Sequence, residues 1–545
     1  MLNYKLLALL LIFSSTAQAN PLSSGQLLNE NKDNFEMPRQ SNASVFEETQ
    51  KENESTNDEK VFVKGFKISG QDIFKEEELL KLLNNKNQLL SFKDLENNAY
   101  VISNYFEKHG YVVRTFMPEQ KIEDGIVEYR VIVGIVGDVS IVNNTSIHNK
   151  ALQREAASLK TGRYLKKDDL QRAVWLVSDL AGTDAKAILS PNSENGKINI
   201  EITANKHKGK QGLLTLSNYE NRYVGYGKAD LYYDFFNLAK EGDILSTSVT
   251  YTQENMLNYG ISYKIPVANG LKLTLGYNDL RYHLGKEYDI LDAYGRANVS
   301  SIALDYAIKR SQKHNLYAGI RYEYTDLKDE YEALDLEYND KHSNALILSL
   351  YGNEIDRKGA TYWRVENKFG NISFDSDETR YFYSDSGTEG SFFKTKIDII
   401  RRQDLNRRLY LLLSGRGQYS SKNLDSSEHM SLGGFSGVRA YPQSEASGDC
   451  GYLLRAELRW LMPLKSDHQL QLAYYVDHGG ILVNRDGNMP NNYRHLEGMG
   501  IGIIYSRYED WFIRMDYAWR LGHERPTSDT HRNNGCFWIR GGIYF

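Results

Sequence analysis

The chain has 545 residues, with 66 Lys and Arg against 71 Asp and Glu and a net charge of -5 at pH 7, so it lacks the basic excess that nucleic acid would demand of a partner. Its mean hydropathy of -0.55 and the lack of an apolar run long enough to span a bilayer exclude a helical membrane protein; a transmembrane β-barrel, whose apolar residues alternate with polar ones, escapes that test. The 39 Tyr and 43 Gly against only 9 Pro suit aromatic-rich, uninterrupted strands, and 2 Cys cannot supply a disulfide framework.

Residues 1–19 read as an export signal: Lys5 precedes an apolar run from Leu6 to Phe13, and Ala17-Gln18-Ala19 supplies a small-residue cleavage site. The run is well short of the roughly 18 apolar residues of a membrane anchor, so cleavage after Ala19 and export are expected. Residues 20–60 are rich in Asn, Glu, Ser and Lys and poor in aromatics, the composition of a disordered linker. Within them Leu27, Leu28 and Phe35 fall at roughly helical spacing and predict a short helix over 23–36 that docks elsewhere.

From Val61 the pattern changes. VFVKGFKISG predicts a strand, 73–83 and 92–109 predict helices, Gly110 stops the second helix, and 111–117 and 126–136 predict two strands. The same β-α-α-β-β order recurs as strand 138–142, helices 149–158 and 167–180, and strands 184–189 and 197–204. Two copies of one small α/β unit, 61–137 and 138–208, either present sheet edges to a partner or serve as spacers.

Past Lys210 helical periodicity disappears, and alternating segments of about ten residues follow, separated by Gly, Asn, Asp and Ser. Trp511, Ile513, Met515, Tyr517 and Trp519 share one face, with Arg514 and Asp516 on the other. Tyr452, Leu454, Ala456, Leu458 and Trp460 likewise oppose Arg455, Glu457 and Arg459. The last segment places Phe537, Ile539, Ile543 and Phe545 outside, Phe545 being the C-terminal barrel signal, and Trp538, Arg540 and Tyr544 inside. A β-sandwich also alternates, but it does not bury charged residues or place aromatics on its outer face near segment ends. About sixteen segments, from 211–218 to 536–545 and including 296–309, 313–325 and 344–354, predict a transmembrane antiparallel β-barrel over 209–545.

The connection between the eleventh and twelfth segments, about 421–450, carries GGFSGVRAYPQSEASGDCGY from Gly433 to Tyr452. Its glycines permit positive φ and close backbone approach, and Arg439 is its one cation. Two readings follow: a surface loop whose arginine meets only water, or a loop folded into the hydrated lumen. The second requires an acceptor. In Tyr475-Val476-Asp477-His478-Gly479 the alternation points Asp477 inward with Tyr475. An arginine–carboxylate pair is bidentate and fixes geometry better than lysine would; in a wet lumen it contributes only ~1 kcal/mol, which leaves positioning as its expected benefit.

The order of export signal, two β-α-α-β-β units, barrel, VRAY loop and YVDHG strand resembles the outer-membrane transporters of two-partner secretion, the TpsB branch of the Omp85 superfamily, over nearly the whole mature chain. On that resemblance the α/β units are POTRA domains, and Pro118, Gln120, Asp124 and Gly125 in MPEQKIEDG match the first-POTRA signature. Gly437, Val438, Arg439, Ala440 and Tyr441 match the family's lumenal-loop motif, and Tyr475, Asp477 and Gly479 its barrel-wall motif. Ala440 stands where glycine is commoner and Tyr475 where phenylalanine is, so the loop tip is expected to be shaped slightly differently.

The resemblance implies a pore of the haemolysin-activator and filamentous-haemagglutinin-transporter type, with porin activity, in the outer membrane of a Gram-negative bacterium. It implies a large β-rich TpsA-type passenger (adhesin, haemolysin or contact-dependent inhibition toxin) bound through periplasmic POTRA domains and exported without ATP. Helix 23–36 is then a pore plug, and the barrel assembly machinery inserts the barrel into outer-membrane lipid. The alternative is an Omp85-type assembly factor that inserts other barrels, which prefers more POTRA units and no plug; a passive porin has no need of the repeats. No Ser/His/acid set supports an enzyme, no cofactor or metal site is expected, and His478 reads as a structural lumen residue. Cys450 at the base of the loop and Cys536, inward-facing on the last strand, are candidates for a disulfide tethering loop to wall.

Overall fold

The computed structural model describes residues 22–32, 60–122, 124–192, 196–207, 209–464, 467–487, 492–507, 510–529 and 534–545. The expected export signal, 1–19, and Phe35 of the expected plug helix lie outside the described residues. The described part of that helix is α1 (Ser24–Lys32).

The first α/β unit runs β1 (Lys60–Val63), β2 (Gly65–Ser69), α2 (Glu76–Leu80), β3 (Gln88–Ser91), α3 (Phe92–Lys108), β4 (Val113–Phe116) and β5 (Ile126–Val133). α3 starts at a capping box in which Ser91 and Asp94 each satisfy the other's backbone N–H. It buries Leu95, Asn98, Ile102 and Phe106, one stripe at three- and four-residue spacing. That stripe packs on Val127, Tyr129 and Val131 of β5. The short β3, which pairs with β1, was not anticipated, because four residues are too few to show a period.

The second unit runs β6 (Ile135–Asn144), α4 (Asn149–Glu155), α5 (Lys167–Ser178), β7 (Thr183–Pro191) and β8 (Lys197–Lys206). The two sheets, β2-β5-β4 and β6-β8-β7, have the same order, with the first strand parallel to the central last strand and the penultimate strand antiparallel on its other side. The repeat in the sequence is therefore a repeat of topology.

Among the described residues sixteen antiparallel strands close a barrel. They are β9 (Gly212–Ser217), β10 (Lys228–Phe236), β11 (Ile244–Thr252), β12 (Met256–Ala268), β13 (Leu271–His283), β14 (Ala293–Arg310), β15 (His314–Tyr331), β16 (Leu336–Asp356), β17 (Gly359–Phe374), β18 (Gly390–Asp404) and β19 (Leu409–Ser420), then β22 (Cys450–Pro463), β23 (His468–Leu482), β24 (Tyr493–Arg507), β25 (Trp511–Arg520) and β26 (Cys536–Tyr544). The two-residue strands β20 (Met430–Ser431) and β21 (Ser447–Gly448) pair with each other inside the long connection. β15 and β16 run well past the expected 313–325 and 344–354, β14 only slightly past 296–309, and the distal ends of all three carry residues clustered with α1. A further helix, α6 (Asp377–Tyr383), sits after β17 and is capped by the Ser376 side chain; the expectation that helices end at Lys210 fails there.

The second unit is fixed to the near end of the barrel. The Arg310 guanidinium grips Asp179 with two hydrogen bonds of 2.8 and 2.7 Å and lies over the Trp175 ring. The Glu155 carboxylate accepts the Gly270 N–H at 2.8 Å. Burial pushes that carboxyl above its ordinary pKa, against the pull of the Gly270 amide and Arg154.

Candidate functional site

After β19 the chain folds back into the barrel instead of leaving it. β20 and β21 form the neck, and the turn between them is too tight for side chains: a Cβ on Gly437 would run into the Leu432 carbonyl. Close approach is therefore the main reason for the glycines, and Gly434, at φ 93, is the one in this turn that needs a positive φ. Leu432, Val438, Ala440 and Tyr441 are wholly buried, in one cluster with Tyr475, Ile481, Leu496 and Ala518 of the wall. Gly479 of the wall motif leaves the room that Leu432 uses, since a Cβ there would lie 2.9 Å from Leu432 Cδ2. Ala440 packs on Gly498 and is not among the positive-φ residues; Ser444 and Ala446 are. The backbone at Ala440 is therefore one that alanine adopts without strain.

Arg439 is 0% exposed. Its Nε and Nη2 donate to the two carboxylate oxygens of Asp477 at 2.8 and 2.7 Å, and its backbone N–H donates to Asp477 Oδ2 at 3.1 Å. Nη1 donates to Glu457 Oε2 on β22 at 2.6 Å, the guanidinium carbon lies 3.3 Å from the Tyr475 ring centroid, and the Arg439 carbonyl accepts the Trp538 indole N–H at 2.7 Å. Asp477 is 1% exposed, so the expected wet pair is a dry one, and the ~1 kcal/mol of a solvated pair does not apply. Arg455 faces Asp477 at 3.4 Å, while Arg459 and Arg514 face Glu457 at 2.6 and 3.3 Å. Sequence reasoning found Asp477 and missed Glu457 as a partner, although alternation already placed Glu457 inward.

The first half of the loop is anchored on the neighbouring wall strands β16 to β18 by residues that sequence reasoning did not single out. Glu428 accepts Lys368 at 2.6 Å and Lys394 at 2.7 Å, Lys368 also donates to Glu323 at 3.1 Å, and Lys341 pairs with Asp425. Lys368 and Lys394 stand directly opposite each other on β17 and β18. Like charges so placed repel, and that cross-strand lysine pair was the available signal for a carboxylate in the lumen.

α1 fills the space beside this anchor. Leu22, Leu27 and Leu28 are buried against Tyr223, Leu280, Tyr282 and Leu327 of the wall and its loops. Ser24 N–H donates to Asp329 at 2.9 Å, and Tyr282 O–H donates to the Leu22 carbonyl at 3.1 Å. Ser23 and Ser426 join by their hydroxyls at 2.6 Å, and a Cβ on Gly25 would lie 2.6 Å from Ser427 Cβ. Helix and loop therefore touch and together cross the lumen.

The remaining residues lie elsewhere. Gln120 spans the backbone of Glu128, donating to its carbonyl at 2.9 Å and accepting its N–H at 2.8 Å. Pro118 leads into that contact. Asp124 and Gly125, at φ 56 and 70, make the turn whose Gly125 carbonyl accepts Lys64 N–H at 2.8 Å. Phe545 closes the barrel: its backbone exchanges hydrogen bonds with Gly212, and its ring stacks near Tyr233. Cys450 and Cys536 are not disulfide-bonded. They start strands four places apart in the sheet, roughly 19 Å at ~4.8 Å per strand, against a Cα limit of about 7 Å for a disulfide. His478 is not lumenal: it sits between the inward Asp477 and Gly479 and takes the outer face with Val476, which is 40% exposed.

The family profile for haemolysin secretion/activation proteins ShlB/FhaC/HecB matches residues 196–505, and the ShlB-type POTRA domain profile matches 61–134. The heme/hemopexin transporter protein HuxB of Haemophilus influenzae (strain 86-028NP) is 25% identical, over 86% of this chain and 84% of its own. The hemolysin transporter protein HpmB of Proteus mirabilis is 24% identical, over 74% of this chain and 73% of its own. The solved structure of CdiB from Escherichia coli superposes with a TM-score of 0.72 at 17% identity, covering 91% of this chain and 93% of that one, and so shares its fold. With its profile matched over more than half the length, the chain belongs to the haemolysin secretion/activation family ShlB/FhaC/HecB, the two-partner secretion transporters of the Omp85 superfamily in the outer membrane.

Proposed function

We propose that this transporter exports one large β-rich partner through a lumen that α1 and the loop at Arg439 hold closed at rest. The observation that carries the reading is that both obstructions are attached to the wall by side chains and not by the barrel's own hydrogen-bond ladder. They can leave without opening the sheet. The α/β units capture the unfolded N-terminal part of the passenger in the periplasm. Support for that comes from the edge strands β4 and β7, available for strand addition, and from Phe62 and Leu89, paired across β1 and β3 and 50% and 61% exposed. Folding of the passenger outside the cell then makes its movement directional without ATP, and the barrel assembly machinery places the pore in the membrane.

Co-expression with the large exported protein encoded beside this chain tests the proposal. The passenger is expected in the culture supernatant only when the transporter is present. Retention in the periplasm in both cultures overturns the export role. Removal of residues 22–32 is expected to raise single-channel conductance in planar bilayers, and unchanged conductance overturns the plug role of α1.

A further inference from the structure

We propose that His478, His495 and Glu497 form a binding site for a divalent transition-metal ion of the zinc class on the outer face of the barrel, just beyond its lipid-facing band. Three residues of one antiparallel strand pair make it. His478 on β23 stands directly opposite Glu497 on β24, and His495 is two residues before Glu497 on the same face. The Nε2 atoms of the two histidines are 3.3 Å apart, and His495 Nε2 lies 3.4 Å from Glu497 Oε1. One ligand atom from each of the three residues can be chosen so that all lie within 4.8 Å of one another. Bonds of about 2.0–2.1 Å to a tetrahedral zinc ion place ligand atoms roughly 3.4 Å apart, so little rearrangement is needed.

The donor set selects the ion. Two imidazoles and one carboxylate suit zinc and its neighbours and suit magnesium or calcium poorly. Without a metal the two facing ring nitrogens share one N–H···N hydrogen bond at 3.3 Å, whereas a cation uses the lone pairs of both. The side chains are 38%, 41% and 34% exposed, so an ion reaches them from outside the barrel. The Tyr452 hydroxyl, 3.0 Å from His478 Nε2, borders the cluster. Along the same face inward from the site come Val476 and Tyr474 on β23 and Met499 and Ile501 on β24, the apolar band. An ion here clamps β23 to β24 directly behind Asp477, the residue that holds the lumenal loop.

The experiment uses the full chain in detergent micelles, carrying an affinity tag without histidine and stripped with EDTA. Titration with zinc chloride by calorimetry is expected to show saturable binding near one ion per chain, and magnesium chloride none. His495→Ala and Glu497→Ala are each expected to weaken binding at least about 100-fold, since even loss of an outer-shell partner costs about 10–100-fold. Both sites are on the surface, and an unchanged heat-modifiable band on gels confirms that the variants are folded. No saturable zinc binding by the wild type, or variants with the wild-type isotherm, overturns the proposal.

Discussion

Arg439→Ala removes a side chain that is bonded to two wall strands at once. Three guanidinium hydrogen bonds and the Tyr475 stacking go, and Asp477 and Glu457 remain buried. Removing one partner of a buried pair costs about 3–5 kcal/mol. Arg455 already faces Asp477, and Arg459 and Arg514 already face Glu457, which holds the figure to the low end, ~3 kcal/mol, or about 100-fold in the balance between seated and released loop. The barrel ladder is untouched, so the heat-modifiable band stays, while a loop without its anchor has no defined seat from which a passenger segment can displace it. Passenger in the supernatant is expected to fall sharply. Arg439→Lys keeps the charge but not the fork and is expected to recover only part of it. Exchanging Arg439 with Asp477 is expected not to rescue secretion, because residue 439 would then set a carboxylate against Glu457. Wild-type secretion by Arg439→Ala, from a barrel shown to be inserted, refutes the reasoning.

Glu428→Gln leaves Lys368 and Lys394 opposed with one acceptor weakened. It is expected to loosen the first half of the loop and raise channel noise and conductance in planar bilayers, with Arg439 still seated. Gln120→Ala strips both hydrogen bonds from the Glu128 backbone and is expected to destabilise the first POTRA unit by about 1–3 kcal/mol, read as protease sensitivity at 61–134 with the barrel intact. Cys450→Ser with Cys536→Ser is expected to leave non-reducing gel mobility and secretion unchanged, whereas a shift present only in the oxidised wild type would contradict the strand separation.

The barrel, its strand number and the inward face of β23 were legible because alternation has a period of two and a one-residue slip would put Arg514, Asp516 or Asp477 into lipid. The repeat was legible because amphipathic helices such as α3 announce themselves. Less was legible where contacts join residues far apart in sequence. Glu457 as the second acceptor of Arg439, Lys368 and Lys394 around Glu428, and Asp329 beneath Ser24 depend on how far a loop reaches across a lumen, which no local pattern records. His478 was misplaced for a different reason. Its neighbour Asp477 drew it inward by association, although the alternation that put Asp477 inside had already put His478 outside.

The two obstructions are not equivalent, and the difference orders their release. The described part of α1 is held by leucine burial, about 1.5–3 kcal/mol per side chain, and by a few hydrogen bonds that include Ser24 to Asp329 and Tyr282 to Leu22. The loop is held by dry ion pairs at both ends, each of which leaves a buried charge behind when it breaks. Leaving exposes mainly apolar surface in the case of α1, whereas a broken ion pair strands a buried charge until another polar group replaces its partner. α1 is therefore expected to leave first, with the loop shifting only once a passenger segment supplies polar groups of its own. Cysteines at Ser23 and Ser426, whose hydroxyls are 2.6 Å apart, should form a crosslink that stops secretion, and a crosslinked pair that still secretes at the wild-type rate would show that the helix need not leave.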